Sequence, residues 1–137
     1  MSHFLIKKAS VAGEPSRPPA SARPVVEGSP PIVRHPQSTF VDGQGYPAGQ
    51  YGYPEVVLGT PRTDDAGLTF WNSMYTNSTV AYELVKTRLF DPYTDSWKLY
   101  SGVLWRYTIG ETAASGTHPY VNFRARVTKL VEIVSWD

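Results

Sequence analysis

The chain has 137 residues, 13 basic against 12 acidic, 12 prolines and no cysteine. That is one domain's worth of chain, and without cysteine neither disulfides nor thiolate metal sites are available to it. A formal charge of +1 with no basic cluster argues against a nucleic-acid binder, and no apolar run reaches the roughly 18 residues of a membrane-spanning helix.

Phe4, Leu5 and Ile6 form a short apolar patch ahead of Lys7 and Lys8. It is too short to stand as a strand alone; it either docks on a sheet edge, its own or a neighbour's, or frays as a chain end. The first eleven residues lack an apolar core of signal-peptide length, so synthesis in the cytoplasm is expected.

From Ala9 to Pro54 the composition changes. Nine of the 12 prolines fall in this stretch, which removes backbone donors and fixes φ, so neither a helix nor a central strand is expected. At roughly 3 Å per extended residue the segment can reach on the order of 100 Å. It carries apolar islands that a plain spacer does not need: Val25, Val26, Ile32, Val33, Phe40, Tyr46, Tyr51 and Tyr53. They read as anchors that dock along a surface. The Gly/Tyr-rich run from Gly43 to Tyr53 lacks the Lys-Ser/Thr ending of a phosphate loop and reads as a connection into the domain. Residues 1–54 are thus expected to form an extended arm, and residues 55–137 a compact domain.

Within that domain, Glu55 to Leu58 is a short strand candidate. Asp64 and Asp65 supply capping chemistry ahead of Leu68, Trp71 and Tyr75, which recur at helical spacing; a helix over about residues 64–76 is predicted, with its aromatic face on the sheet. Gly67 weakens it. Residues 80–90 read as a long strand and Asp91 to Ser96 as a turn. From Trp97 the alternation places Trp97, Leu99, Ser101, Val103, Trp105, Tyr107 and Ile109 on one face. Lys98, Tyr100, Gly102, Leu104, Arg106 and Thr108 take the other. Both sets contain apolar groups. A loop over 110–119 follows. In the last strand Val121, Phe123, Ala125 and Val127 alternate with Asn122, Arg124, Arg126 and Thr128, and after Lys129 the pattern blurs, which suggests a bulge or burial on both faces. The predicted fold is mainly β, a small antiparallel sandwich or barrel with one packed helix and a long N-terminal arm.

No pattern of residues marks a reaction. His3, His35 and His118 are far apart in sequence, and only His118 falls in the β domain. Glu83, Asp91, Asp95 and Glu111 are the carboxylates from which an acid–base pair would have to come, and nothing sets them apart. The expectation is a protein without catalysis, metal or cofactor.

The order of elements resembles the tail-tube fold of bacteriophages. The likeness lies in TDDAGLTFWNSMY, the hairpin TRLFDPYTDSWKLYSGVLWR and the ending VNFRARVTKLVEIVSWD. The resemblance implies a virion structural protein, made in the host cytoplasm, whose partners are copies of itself and other virion proteins. It implies no membrane, and nucleic acid only as unspecific lumen content. Head decoration (cement) proteins, also small, β-rich and armed at the N-terminus, are the related alternative. A carbohydrate-binding module stacking sugars on Trp97, Tyr100, Trp105 and Tyr107 is the alternative of another class. On the assembly reading the contact residues are Phe4, Leu5, Ile6, the eight arm anchors, and Arg124 and Arg126 as interface or lumen groups. Deleting residues 1–54 would then leave a folded domain that does not assemble.

Overall fold

The computed structural model describes residues 4–23, 33, 40–41, 47–48, 54–112 and 119–137, with backbone alone at 40–41, 47–48 and 111–112. Its strands are β1 (Leu5–Lys8), β2 (Phe40–Val41), β3 (Pro47–Ala48), β4 (Val56–Thr63), β5 (Tyr82–Asp91), β6 (Ser96–Trp105), β7 (Glu111–Thr112) and β8 (Tyr120–Glu132). A 3-10 turn spans Ala20–Ala22 and the helix α1 spans Asp65–Asn72.

The sheet grows from the β5–β6 hairpin, whose ten paired positions run from Tyr82 opposite Trp105 to Asp91 opposite Ser96. Both strands are rich in β-branched and aromatic residues, and Pro92 to Asp95 turn the chain, with Asp95 at φ 52°, a conformation that Asp tolerates. The full order is β1-β5-β6-β8-β4, all neighbours antiparallel, with β7 beside β8 and with β2 and β3 forming a separate ribbon. The mainly β architecture with one helix is thus the one expected. Pro61 interrupts the donors of β4 where that is harmless, because β4 lies at the end of the sheet order. This is why β4 continues past Leu58, where the sequence pattern suggested an end.

One side of the sheet faces the core. Val85, Thr87, Leu89, Leu104, Phe123, Val127, Val56 and Leu58 all turn there and are almost fully buried. Trp71 is fully buried against this side and packs on Phe4 beside β1 and Phe123 in β8, at ring-centroid distances of 6.2 and 5.4 Å. The Trp71 indole N–H donates to the Ala22 carbonyl at 3.2 Å, so the largest core side chain leaves no buried donor unpaired.

α1 begins where Asp64 accepts from the Gly67 amide at 3.0 Å, a side-chain cap. It is shorter than the spacing suggested. After Asn72 the chain continues in turns that still bury Met74 and Tyr75 against the sheet. Gly67 is a packing requirement as well as a helix weakness: a Cβ there would lie 2.0 Å from the Thr63 hydroxyl and 3.0 Å from the Ala22 methyl.

Residues 4–23 belong to this packed unit rather than to a separable arm. β1 pairs with β5 from Leu5 opposite Arg88 to Lys8 opposite Val85. The chain then folds back, and Ser16 bridges Ile6 through two backbone bonds of 2.9 and 3.0 Å, covering part of the outer edge of β1. The Lys7 ammonium donates to the Gly13 carbonyl inside that return. Val33 is buried as well, and its amide donates to the Phe90 carbonyl at 3.0 Å. The division expected at residue 54 therefore runs through the core. A deletion of residues 1–54 removes Phe4, Ile6, Ala22 and Val33 from it, and the remainder is not a domain with a complete interior.

Candidate functional site

Two register faults shape the outer side of the sheet. Between Ser101 and Val103 the pairing of β6 with β8 slips by one residue, and Lys129 takes φ 54°. This is the bulge expected after Lys129. It returns Leu130 to the core side after Val127, while Gly102 makes room: a Cβ there would meet the Val127 and Leu130 methyls at 2.7 and 2.9 Å. The second fault follows Trp105. Leu104 still faces Val127, but the next contact is Thr108 with Arg124, so β6 carries one residue more than β8 across this gap.

The second fault changes the faces predicted for this strand. Trp105 stays outside, whereas Tyr107 turns inward and packs on Phe123 and Tyr75 at centroid distances of 5.1 and 6.2 Å. Thr108 is moved to the outside. Alternation over 97–109 held in the sequence reading because nothing local announces an extra residue in a strand.

The fault is clamped from several directions. The Tyr75 hydroxyl donates to the Trp105 carbonyl at 2.6 Å. Burial pushes that hydroxyl up to about 12, against the opposing pull of Arg106, so it keeps the proton it donates. The Arg106 amide donates to the Ala81 carbonyl. Its guanidinium lies 4.1 Å from the Tyr75 ring centroid and donates to the carbonyls of Val80 and Asn77. Outside, the Trp105 indole N–H donates to the Thr128 hydroxyl at 2.8 Å, which fixes the ring while leaving it 43% exposed.

The result is a cleft of about 390 Å³ on the outer face, lined by Val57, Trp105, Thr108, Arg124 and Arg126, with Arg106 and Ala125 at its base. The three arginines differ. Arg106 is held as described. Arg126 meets Glu55 at 2.6 Å. Arg124 has no side-chain partner among the described residues. Tyr82 continues the aromatic surface beside the cleft, its ring 5.5 Å from that of Trp105. Leu84 and Val131 extend the apolar surface over β5 and β8, at 55% and 48% exposure.

Of the expected contact residues, Arg124 and Arg126 come together at this cleft. Phe4, Ile6 and Val33 are buried in the chain's own core and Leu5 is half-buried in β1, so their apolar surface is consumed within one molecule. Val25, Val26, Ile32, Tyr46, Tyr51 and Tyr53 lie outside the described residues, as does the side chain of Phe40. Of the aromatics considered for sugar stacking, Tyr100 is buried, Trp97 packs on Phe90 and Tyr107 packs inward. Only Trp105 presents an exposed ring at a cleft. Tyr82 and Leu84 were missed as surface groups. In a strand with apolar residues on both sides, sequence does not say which side is covered.

Among the described residues, Glu83 and Asp91 stand at opposite ends of β5. Glu83 accepts from the Thr76 amide and hydroxyl at one end of β5, while Asp91 holds the turn at the other, accepting from the Tyr93 amide and lying 3.6 Å from the Lys98 ammonium. No three His, Asp or Glu side chains gather as a metal site among the described residues. No helix among them is long and apolar enough to cross a membrane. No protein-family model matches the chain, and no curated protein and no solved structure matches it.

Proposed function

We propose that the chain is a structural subunit that assembles with copies of itself through the open outer face of its sheet, as the subunits of a phage tail tube do. One observation carries this reading. Tyr82, Leu84, Trp105 and Val131 stand exposed on one side of three adjacent strands, β5, β6 and β8. The opposite side of the same strands packs on α1 and the residues around Ala22. A contiguous exposed patch of large apolar groups, bordered by Arg124 and Arg126, has the composition of an association surface, in which Tyr, Trp and Arg are enriched. The rigid backing favours the same role, since a β-sheet with a filled core loses little freedom when its outer face is covered.

Sedimentation velocity with electron microscopy tests the reading. The wild-type protein is expected to form closed rings or hollow rods, and a Leu84→Lys/Trp105→Glu variant to remain a folded monomer. A wild-type protein that stays monomeric from micromolar to millimolar concentration overturns it. A head-decoration role differs in outcome: such a subunit forms no rods alone and binds preformed heads.

A further inference from the structure

The outer cleft brings together an aromatic ring and a cation, each held for a reason that the fold itself supplies. The ring is that of Trp105. Its indole N–H donates to the Thr128 hydroxyl at 2.8 Å, and its carbonyl accepts from the Tyr75 hydroxyl at 2.6 Å. Side chain and backbone are both fixed, so the exposed part of the indole is presented with little ordering left to do.

The cation is the exposed guanidinium of Arg124. Its backbone partner in β4 is Gly59, which has no side chain to offer, and its partner on the other side is Thr108, whose hydroxyl carries no charge. Arg126 differs, because the Glu55 carboxylate meets it at 2.6 Å. Arg106 is taken up by the carbonyls of Val80 and Asn77 and by the Tyr75 ring. The cleft thus offers a ligand one guanidinium without a carboxylate among the described residues, the Trp105 ring, the Val57 side chain and the Thr108 hydroxyl.

These features select a ligand. A guanidinium fork matches a carboxylate, which it can hold through two parallel hydrogen bonds. An indole offers an apolar surface on which the C–H-bearing face of a pyranose ring can lie. A volume of about 390 Å³ falls at the small end of ligand sites and accommodates about one or two sugar rings. A nucleic-acid strand is a poorer match, since it needs a row of cations and the chain carries a net charge of only +1. We infer that the cleft binds a carboxylated sugar, a hexuronic acid residue either free or within a polysaccharide. Its ring lies on Trp105, its carboxylate pairs with Arg124, and Thr108 hydrogen-bonds a ring hydroxyl. This goes beyond the self-assembly reading and does not depend on it.

Calorimetric titration of the full chain with paired sugars tests the site. Methyl β-glucuronide is expected to bind about tenfold tighter than the neutral methyl β-glucoside, because only the acid engages Arg124. Arg124→Gln should erase that difference, and Trp105→Ala should weaken both sugars, each with an unchanged melting temperature. Trp105→Phe, expected to weaken binding less, serves if the alanine variant disturbs the fold. A glucuronate oligosaccharide that binds tighter than the monosaccharide points to a polymer as the source, and equal binding points to the free acid. Leu84→Lys breaks the apolar patch outside the cleft and is expected to leave glucuronide binding intact, so that failure of self-assembly and failure of sugar binding are read separately. The inference is overturned if no acidic sugar binds, if glucuronide and glucoside bind alike, or if the Arg124→Gln chain still prefers the acid. Inorganic phosphate or a thymidine oligonucleotide bound as tightly as the glucuronide overturns it as well.

Discussion

The two faces of the sheet are made by the same strands from similar residues, yet they do different things. Inside, Val85, Leu104, Phe123 and Val127 share one core with Trp71, whose indole N–H donates to the Ala22 carbonyl. Outside, Tyr82, Leu84 and Trp105 are of the same chemical kind but remain in contact with water. Hydrophobicity alone therefore does not assign a face. Among the described residues, Trp71 of α1, Ala22 and the side chains of Phe4 and Ile6 join the core on one side of the sheet.

Substitutions on the two faces should separate accordingly. The largest effect is expected inside: Trp71→Ala should cost about 3–5 kcal/mol, and Ile6→Ala about 2–5 kcal/mol, both measured by urea unfolding. The Ile6 result also tests whether the N-terminal segment is part of the core. A loss below about 0.5 kcal/mol would return it to the status of a detachable arm.

An intermediate effect is expected at high pH. Burial pushes the hydroxyls of Tyr75 and Tyr100 up to about 12, whereas an unfolded tyrosine titrates near ~10. The folded state thus favours the protonated forms. Their contribution is complete below pH ~10 and is lost as the pH rises from there towards 12. Unfolding midpoints should fall across that window, and Tyr75→Phe should make the fall shallower. An identical decline in the variant would show that Tyr75 does not contribute.

The smallest effect belongs outside. Leu84→Ser should change monomer stability by no more than about 0.5 kcal/mol, even though it removes an apolar side chain from the middle of a strand. A loss comparable to that of Ile6→Ala would mean that the outer face is covered within the single chain, and the contrast between the faces would collapse.

Much of the β domain was legible in the sequence, because its signals are local. Alternation over Val121 to Val127 gives the buried and exposed sides of β8, and the break after Lys129 gives its bulge. Asp64 ahead of Leu68 and Trp71 gives the helix start and its buried side. The cleft was legible only in part. Arg124 and Arg126 stood out as outward-facing cations, but the extra residue after Trp105 that opens space between β6 and β8 has no local signature.

By itself the sequence determined the long strands β5 and β6 with the turn between them, the start of the helix and which residues of the final strand face inward, since backbone propensity and alternation act over a few neighbours; it did not show β7 at Glu111–Thr112, read as loop, or the full length of β4. Only the tertiary structure decided that Phe4, Ile6 and Val33, set in or beside a proline-rich stretch, complete the chain's own core. It alone decided that Trp105 rather than Tyr100 or Tyr107 meets solvent. Both outcomes depend on pairings between residues far apart in the chain, such as Leu5 with Arg88 and Thr108 with Arg124. Closing such loops is a property of the whole fold, for which no short window of sequence carries the energy.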